Sequence, residues 1–466
     1  MSSEVSAARF VELMGRSGLV PAERLPRILS ELGYDGSSFC ASASARELAA
    51  RLVERGILTH FQAAKLLRGR WIGLVVGSYR ILTPLGRGGM GMVFLAQDQR
   101  SVSHSPAAGE DGGSASGWDG LVALKILPPQ LARKEPRMQD RFEREERYYR
   151  RVRHPRVVQM LEAGEEQGIR YIALEFVPGR SLQELVSRWG RLEPERAIPL
   201  FAEVAEGLQN LHEQNLIHRD VKPANIMVTP QGSAKLLDLG LALATDEPPP
   251  QDIRIAGGRG YIVGTMDYIA PEQARHATAI DHRADLYALG CTLYFALTGT
   301  PPFPGGSKRD KIRWQRYAEP IFIRDLNPVV PPALADLVHR LLAKNPGQRP
   351  NSAWQVREEL LALTQSVPSA VALPAWSAQE TVELFDTDTA GTDWWDDVGE
   401  GTASSNLASA PNTGDWNGAF AIQPPPLPPH VRRPSFLQSQ SPAMWTLLVS
   451  LGLLLLATVI ILLRHL

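Results

Sequence analysis

The feature that most narrows what this 466-residue chain can fold into is the run Ile217-His218-Arg219-Asp220-Val221-Lys222-Pro223-Ala224-Asn225. Asp238-Leu239-Gly240 follows it a short strand later. The two stretches join a proton acceptor, a cation and two oxygen donors in one span. Phosphoryl transfer depends mainly on positioning and on neutralising spread-out negative charge, so a site for it needs those residue types. Asp220 can accept or orient the proton of an acceptor hydroxyl, and Lys222 can reach the transferred group. Asn225 and Asp238 offer the hard oxygens that Mg²⁺ prefers. A lone His-Arg-Asp would be an ordinary polar loop; the second motif makes the set.

Upstream, Leu85-Gly86-Arg87-Gly88-Gly89-Met90-Gly91-Met92-Val93 is a glycine-rich turn whose amides can approach phosphate oxygens, because no Cβ stands in the way. A G-x-G-x-x-G run also marks dinucleotide-binding folds, where it opens a helix. Here Met92 to Leu95 read as a strand, which excludes that arrangement. Val122-Ala123-Leu124-Lys125-Ile126 is a buried-type strand with a single lysine near its centre. Following a phosphate loop, that lysine reads as a phosphate ligand rather than a snorkelling edge residue.

In this order the motifs resemble those of bacterial-type, eukaryotic-like Ser/Thr protein kinases, over roughly residues 79–363. The resemblance implies an α+β fold with a small β-rich N-lobe and a larger helical C-lobe. It also implies ATP and Mg²⁺ as cofactors, with Mn²⁺ as an alternative, and Ser/Thr hydroxyls of proteins as acceptors. In it Leu85, Val93 and Ala123 surround the adenine, and Arg87 to Met90 form the flexible tip of the loop. Glu175-Phe176-Val177 is the hinge, preceded by Leu174, and Met227 is the floor below the adenine. Lys125 bridges the α- and β-phosphates and takes a carboxylate from the next helix. Phe142, Glu145, Tyr149 and Val152 share one stripe of the helix expected over 139–153, so Glu145 is the choice and Glu146 the alternative, while Glu143 points elsewhere. Gly264 to Glu272 resembles the substrate-binding segment: Thr265 contacts the catalytic loop and Glu272 forms a buried ion pair with Arg349. Asp285 anchors the catalytic loop from the start of a large central helix.

Two departures from the family pattern stand out. Leu239 replaces the usual Phe after the metal-binding Asp238, keeping an apolar plug. Between Leu241 and Gly264 the only hydroxyls are Thr245 and Tyr261, where such kinases often carry phosphorylatable threonines. Arg219 would normally invite a phosphate there. The expectation is that Asp246, Glu247 or Asp252 supplies a permanent negative charge, or that a partner orders the loop.

The remaining segments set the organisation. Residues 1–75 read as about three short helices, strongly amphipathic from Ala45 to Leu67 with a break at Gly56, and either pack on the N-lobe or recruit a partner protein. Residues 101–120, rich in Ser, Gly and Ala, read as a disordered insertion that does not touch the site. Residues 364–443 read as an acidic and Pro-rich disordered linker, either a spacer or a stretch whose Trp394-Trp395, with Thr387, Thr389 and Thr392 among acids, docks a partner or accepts phosphate. Met444 to Leu463 is charge-free and mostly apolar, long enough for one C-terminal transmembrane helix of tail-anchor type. An ATP-dependent domain must face the cytoplasm, which puts Arg432 and Arg433 on the inner side. No secretory signal opens the chain, and Cys40 and Cys291 give no disulfide framework. A net charge of −1 provides no basic field for nucleic acid. A homodimer is neither required nor excluded. Two classes remain: an active membrane-anchored Ser/Thr kinase, favoured by Lys125, Glu145, Asp220, Asn225 and Asp238, and a pseudokinase-like scaffold, favoured only by the unusual activation segment.

Overall fold

Six antiparallel strands build the upper lobe: β1 (Val75–Val76), β2 (Tyr79–Gly88), β3 (Gly91–Asp98), β4 (Leu121–Leu127), β5 (Met160–Glu166) and β6 (Ile169–Glu175), in the order β1-β2-β3-β4-β6-β5. The computed structural model describes residues 5–34, 44–88, 91–102, 118–247, 266–275 and 280–364. The chain divides into two units, residues 1–401 and 402–466, and all described residues belong to the first.

Side chains alternate between the faces of a strand, so the sheet has two different sides. Leu124 and Ile126 join Met92, Phe94, Ala96, Tyr171 and Ala173 in a core on the outer face. Ala123, Leu127, Ile172 and Leu174 face the main core instead, and Lys125 shares their side by the same period.

Among the described residues four helices, α1 (Ala7–Arg16), α2 (Leu25–Glu31), α3 (Ala45–Glu54) and α4 (His60–Leu67), precede the sheet. They enclose a core of their own around Phe10, Leu13, Met14, Leu48 and Leu52. The break at Gly56 is real: its φ of +67° lies in the left-handed region that favours glycine. Helix α4 then starts at a capping box in which the Thr59 hydroxyl accepts from the Gln62 N–H and the Gln62 side chain accepts from the Thr59 N–H. The same two side chains donate to β2, Thr59 Oγ1 to Leu82 O at 2.6 Å and Gln62 Nε2 to Ile81 O at 2.5 Å. Phe61 packs on Phe94 of the outer sheet face with ring centroids 6.0 Å apart. Of the two roles open in the sequence, packing on the N-lobe is therefore present.

Helix α5 (Pro136–Arg151) crosses below the sheet. The lower lobe holds α6 (Leu182–Trp189), α7 (Pro194–Glu213), α8 (Arg283–Thr298), α9 (Pro332–Leu341) and α10 (Ala353–Thr364), with short strands β7 (Arg180–Ser181), β8 (Leu216–Ile217), β9 (Ile226–Val228), β10 (Ala234–Leu236) and β11 (Leu243–Ala244) above them. Helix α8 is buried from Ala284 to Leu297, as expected of a helix that is apolar all round. Gly290 makes this possible, since a Cβ there would come within 2.6 Å of Leu341 Cβ on α9.

The strand-rich lobe followed by a helical one is the α+β arrangement expected. One expectation is corrected. Trp118, inside the segment 101–120, packs on Phe176 of the hinge at 5.5 Å, so an end of that segment does reach the edge of the site. Trp118 precedes β4 and Phe176 follows β6, and because these strands are neighbours in the sheet the two rings meet at their ends and bury apolar surface together. Residues 103–117, Gly89, Met90, Asp252, Tyr261, Thr265, the linker after Thr364 and the stretch 444–463 lie outside the described residues. Among the described residues no helix is long and apolar enough to cross a membrane.

Candidate active site

The β2–β3 hairpin carries the glycine-rich turn in register, with Gly86 opposite Val93, Arg87 opposite Met92 and Gly88 opposite Gly91. Gly91 has to be glycine: a Cβ there would lie 2.1 Å from Ile126 O on β4. This close approach sets the turn beside the strand that carries Lys125.

Lys125 Nζ donates to both carboxylate oxygens of Glu145, at 2.6 and 2.7 Å, and to Asp238 Oδ1 at 3.1 Å. Glu145 is 1% exposed, on the inward face of α5 with Phe142, Tyr148 and Tyr149. Its neighbours are spent elsewhere. Glu143 accepts from Arg170 and Gln139, and Glu146 pairs with Arg150 at 2.7 Å. Burial alone would push the Lys125 ammonium down, but Asp238 and Glu145 outweigh it and hold the lysine above its ordinary range. For Glu145 burial wins over the lysine and pushes the carboxyl up to about 7. Burial would also raise Asp238, yet Lys125, the Gly240 N–H and Lys222 keep it well below the usual carboxylate range.

The catalytic-loop residues are fixed from underneath. Asp285, fully buried at the start of α8, accepts from the N–H groups of His218 and Arg219, both at 2.8 Å, and lies 2.9 Å from His212 Nε2. Arg219 has φ +65° and Asp238 φ +57°, a conformation that costs non-glycine residues free energy and persists only where such contacts impose it. His218 Nε2 donates to Leu237 O at 3.0 Å, leaving Nδ1 to accept from the Asp220 N–H at 3.3 Å. Asp220 is 7% exposed, and its Oδ2 accepts from Lys222 Nζ at 2.6 Å and from Asn225 Nδ2 at 3.1 Å. Asn225 Nδ2 also reaches Asp220 O at 2.9 Å, so the carbonyl oxygen is the atom of that amide able to ligate a cation. The Leu237 N–H donates to Asn225 O at 2.8 Å, which holds the residue next to Asp238 against Asn225.

Around the cleft, Leu174 and Val177 are buried, and Glu175 accepts from the Gln159 N–H at 2.9 Å and from Lys235. Met227 and Ala123 both pack against the main core; Leu85 and Val93 are partly buried. Further down, Arg349 and Glu272 form a two-pronged ion pair at 2.7 and 2.9 Å, and Arg349 also donates to Arg283 O and Ala343 O. Thus Lys125, Glu145 and Asp238 form one cluster, and Asp220, Lys222 and Asn225 a second that Leu237 ties to it. Sequence reasoning missed His212 and the hydroxyls of Tyr148 and Tyr149. Tyr149 lay on the stripe used to find Glu145, but nothing local shows that its OH accepts from the Leu239 N–H at 3.3 Å.

The family model described as protein kinase domain matches residues 115–361. The chain is 35% identical over 288 residues to serine/threonine-protein kinase PknB of Mycolicibacterium smegmatis, covering 61% of this chain and 42% of that protein. To serine/threonine-protein kinase pkn2 of Myxococcus xanthus it is 33% identical over 359 residues, 75% of this chain and 39% of the relative. To pkn3 of the same organism it is 35% identical over 313 residues, 66% of this chain and 53% of the relative. The chain spans about half the length, or less, of these curated relatives.

Proposed function

Since this chain belongs to the protein kinase domain family, we propose that it transfers the γ-phosphoryl group of ATP to Ser or Thr hydroxyls of proteins. The observation that carries the proposal is the meeting of the Lys125–Glu145–Asp238 cluster with the Asp220–Lys222–Asn225 cluster across one loop. Among the described residues no group of three or more His, Cys, Asp or Glu side chains is placed to hold a metal. An amide and a carboxylate oxygen fit Mg²⁺ better, because that ion keeps waters and substrate phosphates as its other ligands. Asn225 and Asp238 would hold it, and when bound it neutralises charge on the phosphates.

The chain's own residues do the rest. Lys125, fixed by Glu145, holds the non-transferred phosphates in line. Asp220, oriented by the Asn225 amide, accepts or directs the proton of the acceptor hydroxyl. Lys222, on the same loop, stabilises the charge spread over the transferred group. The length and lack of charge of residues 444–463 support a membrane anchor, and the need for ATP puts the rest of the protein on the cytoplasmic side.

The test is Mg²⁺-dependent transfer of labelled γ-phosphate from ATP to a generic protein substrate by the full-length chain. Asp220→Asn and Lys125→Ala should each lower turnover by about 10²-fold or more. Unchanged turnover in either variant overturns the assignment, and an inactive wild type favours the scaffold reading.

A further inference from the structure

Helix α5 carries Glu145, so whatever holds α5 holds the Lys125 pair. Its last turns touch the beginning of the activation segment at several points. The Tyr148 hydroxyl accepts from the Ala244 N–H at 3.3 Å, and the Tyr149 hydroxyl from the Leu239 N–H. One turn on, Arg151 is a centre of negative groups. It donates to Gln214 O at 2.6 Å and to Asp246 Oδ2 at 2.9 Å, and reaches Glu247 Oε1 at 3.4 Å. Arg147 lies 3.7 Å from the other Glu247 oxygen.

These carboxylates do not hang from a free strand. β11 pairs with β8 through Leu243 opposite Ile217 and Ala244 opposite Leu216, immediately ahead of the catalytic loop. The ladder continues as Thr245 N–H donates to Asn215 O at 2.8 Å, with the Thr245 hydroxyl on the same oxygen. Asp246 and Glu247 come next, so the backbone delivers them to α5. Gln214 is the C-terminal cap of α7, where the carbonyls carry partial negative charge that suits an arginine. Together the two carboxylates carry about the charge of a phosphate monoester at neutral pH.

We propose that Asp246 and Glu247 are positioning residues that stand in for an activation-segment phosphate: bound to Arg151 and Arg147, they clamp α5 so that Glu145 stays on Lys125. The inference rests on the kinase reading above and adds its regulation. The clamp is part-exposed, with side-chain exposures of 28% for Arg151, 44% for Asp246 and 38% for Glu247, so its effect is graded rather than absolute.

The test uses the full-length chain after phosphatase treatment, with two readouts: turnover on a generic protein substrate and affinity for a fluorescent ATP analogue. Treated wild type should keep its turnover. Asp246→Asn combined with Glu247→Gln should lose about fivefold or more in both readouts, with the unfolding midpoint unchanged. Arg151→Asp should do the same, and adding Asp246→Arg to it should recover most of the loss. The proposal is overturned if the neutral pair matches wild type, if the charge exchange recovers nothing, or if phosphatase treatment alone abolishes turnover. A wild type that binds the analogue but transfers no phosphate sinks the proposed function instead, and the affinities of the variants then decide the clamp.

Discussion

Asp285 in the lower lobe and Glu145 in the upper are both shut off from water, at 0% and 1% exposure, and are held in opposite ways. Asp285 accepts from two backbone N–H groups and lies against His212, donors that the folded catalytic loop and α7 cannot withdraw. Burial would raise it, but those donors hold it below the usual carboxylate range. Glu145 is met by one lysine, on a strand of its own lobe, which is shared with Asp238. Its burial is thus less fully compensated, and its carboxyl is pushed up to about 7. The lower carboxylate belongs to a fixed template. The upper one is where activity can be lost without unfolding the chain.

The largest effect should come from the template. Asp285→Ala leaves the His218 and Arg219 N–H groups buried without an acceptor and should cost about 3–5 kcal/mol of stability, measured by urea unfolding. A cost under about 1 kcal/mol would erase the contrast. Next, Glu145→Gln should cut turnover about a hundredfold, while shifting stability by less than about 1.5 kcal/mol.

The smallest and most specific effect is in pH. Glu145 is charged only above its pKa, so kcat/KM of the free enzyme should fall as pH drops through about 7. Glu145→Gln should remove that limb. Stability should run the other way for the two groups. With its folded pKa raised, Glu145 stabilises the fold fully below its unfolded pKa and loses that contribution as pH rises through about 7. With its folded pKa depressed, Asp285 contributes above its unfolded pKa and loses this as pH falls through the folded value. Unfolding curves of wild type and Glu145→Gln from acid to neutral pH separate these slopes; parallel curves would mean that Glu145 titrates normally.

How much was legible follows the same division. Asp220, Lys222 and Asn225 lie on one loop, and Lys125 sits in an unmistakable apolar strand, so local residue order sufficed to name them. Glu145 needed helical periodicity to separate it from Glu143 and Glu146, and the geometry follows the stripe. His212 and Arg151 gave no signal. Each acts on a residue far along the chain, and a histidine or arginine near a helix end is an ordinary surface choice until a carboxylate is folded against it.

By itself the sequence determined the two-lobed α+β architecture and the ingredients of the site, because strand alternation, glycine turns and loop motifs act over a few residues. Only the tertiary structure decided which acids meet which bases. It set Lys125 between Glu145 and Asp238, gave Asp246 and Glu247 to Arg151, and laid helix α4 of the N-terminal segment on the outer face of the sheet through Thr59, Phe61 and Gln62. Electrostatic attraction and burial depend on distance in space, and for residues widely separated in sequence that distance exists only once the chain has closed on itself.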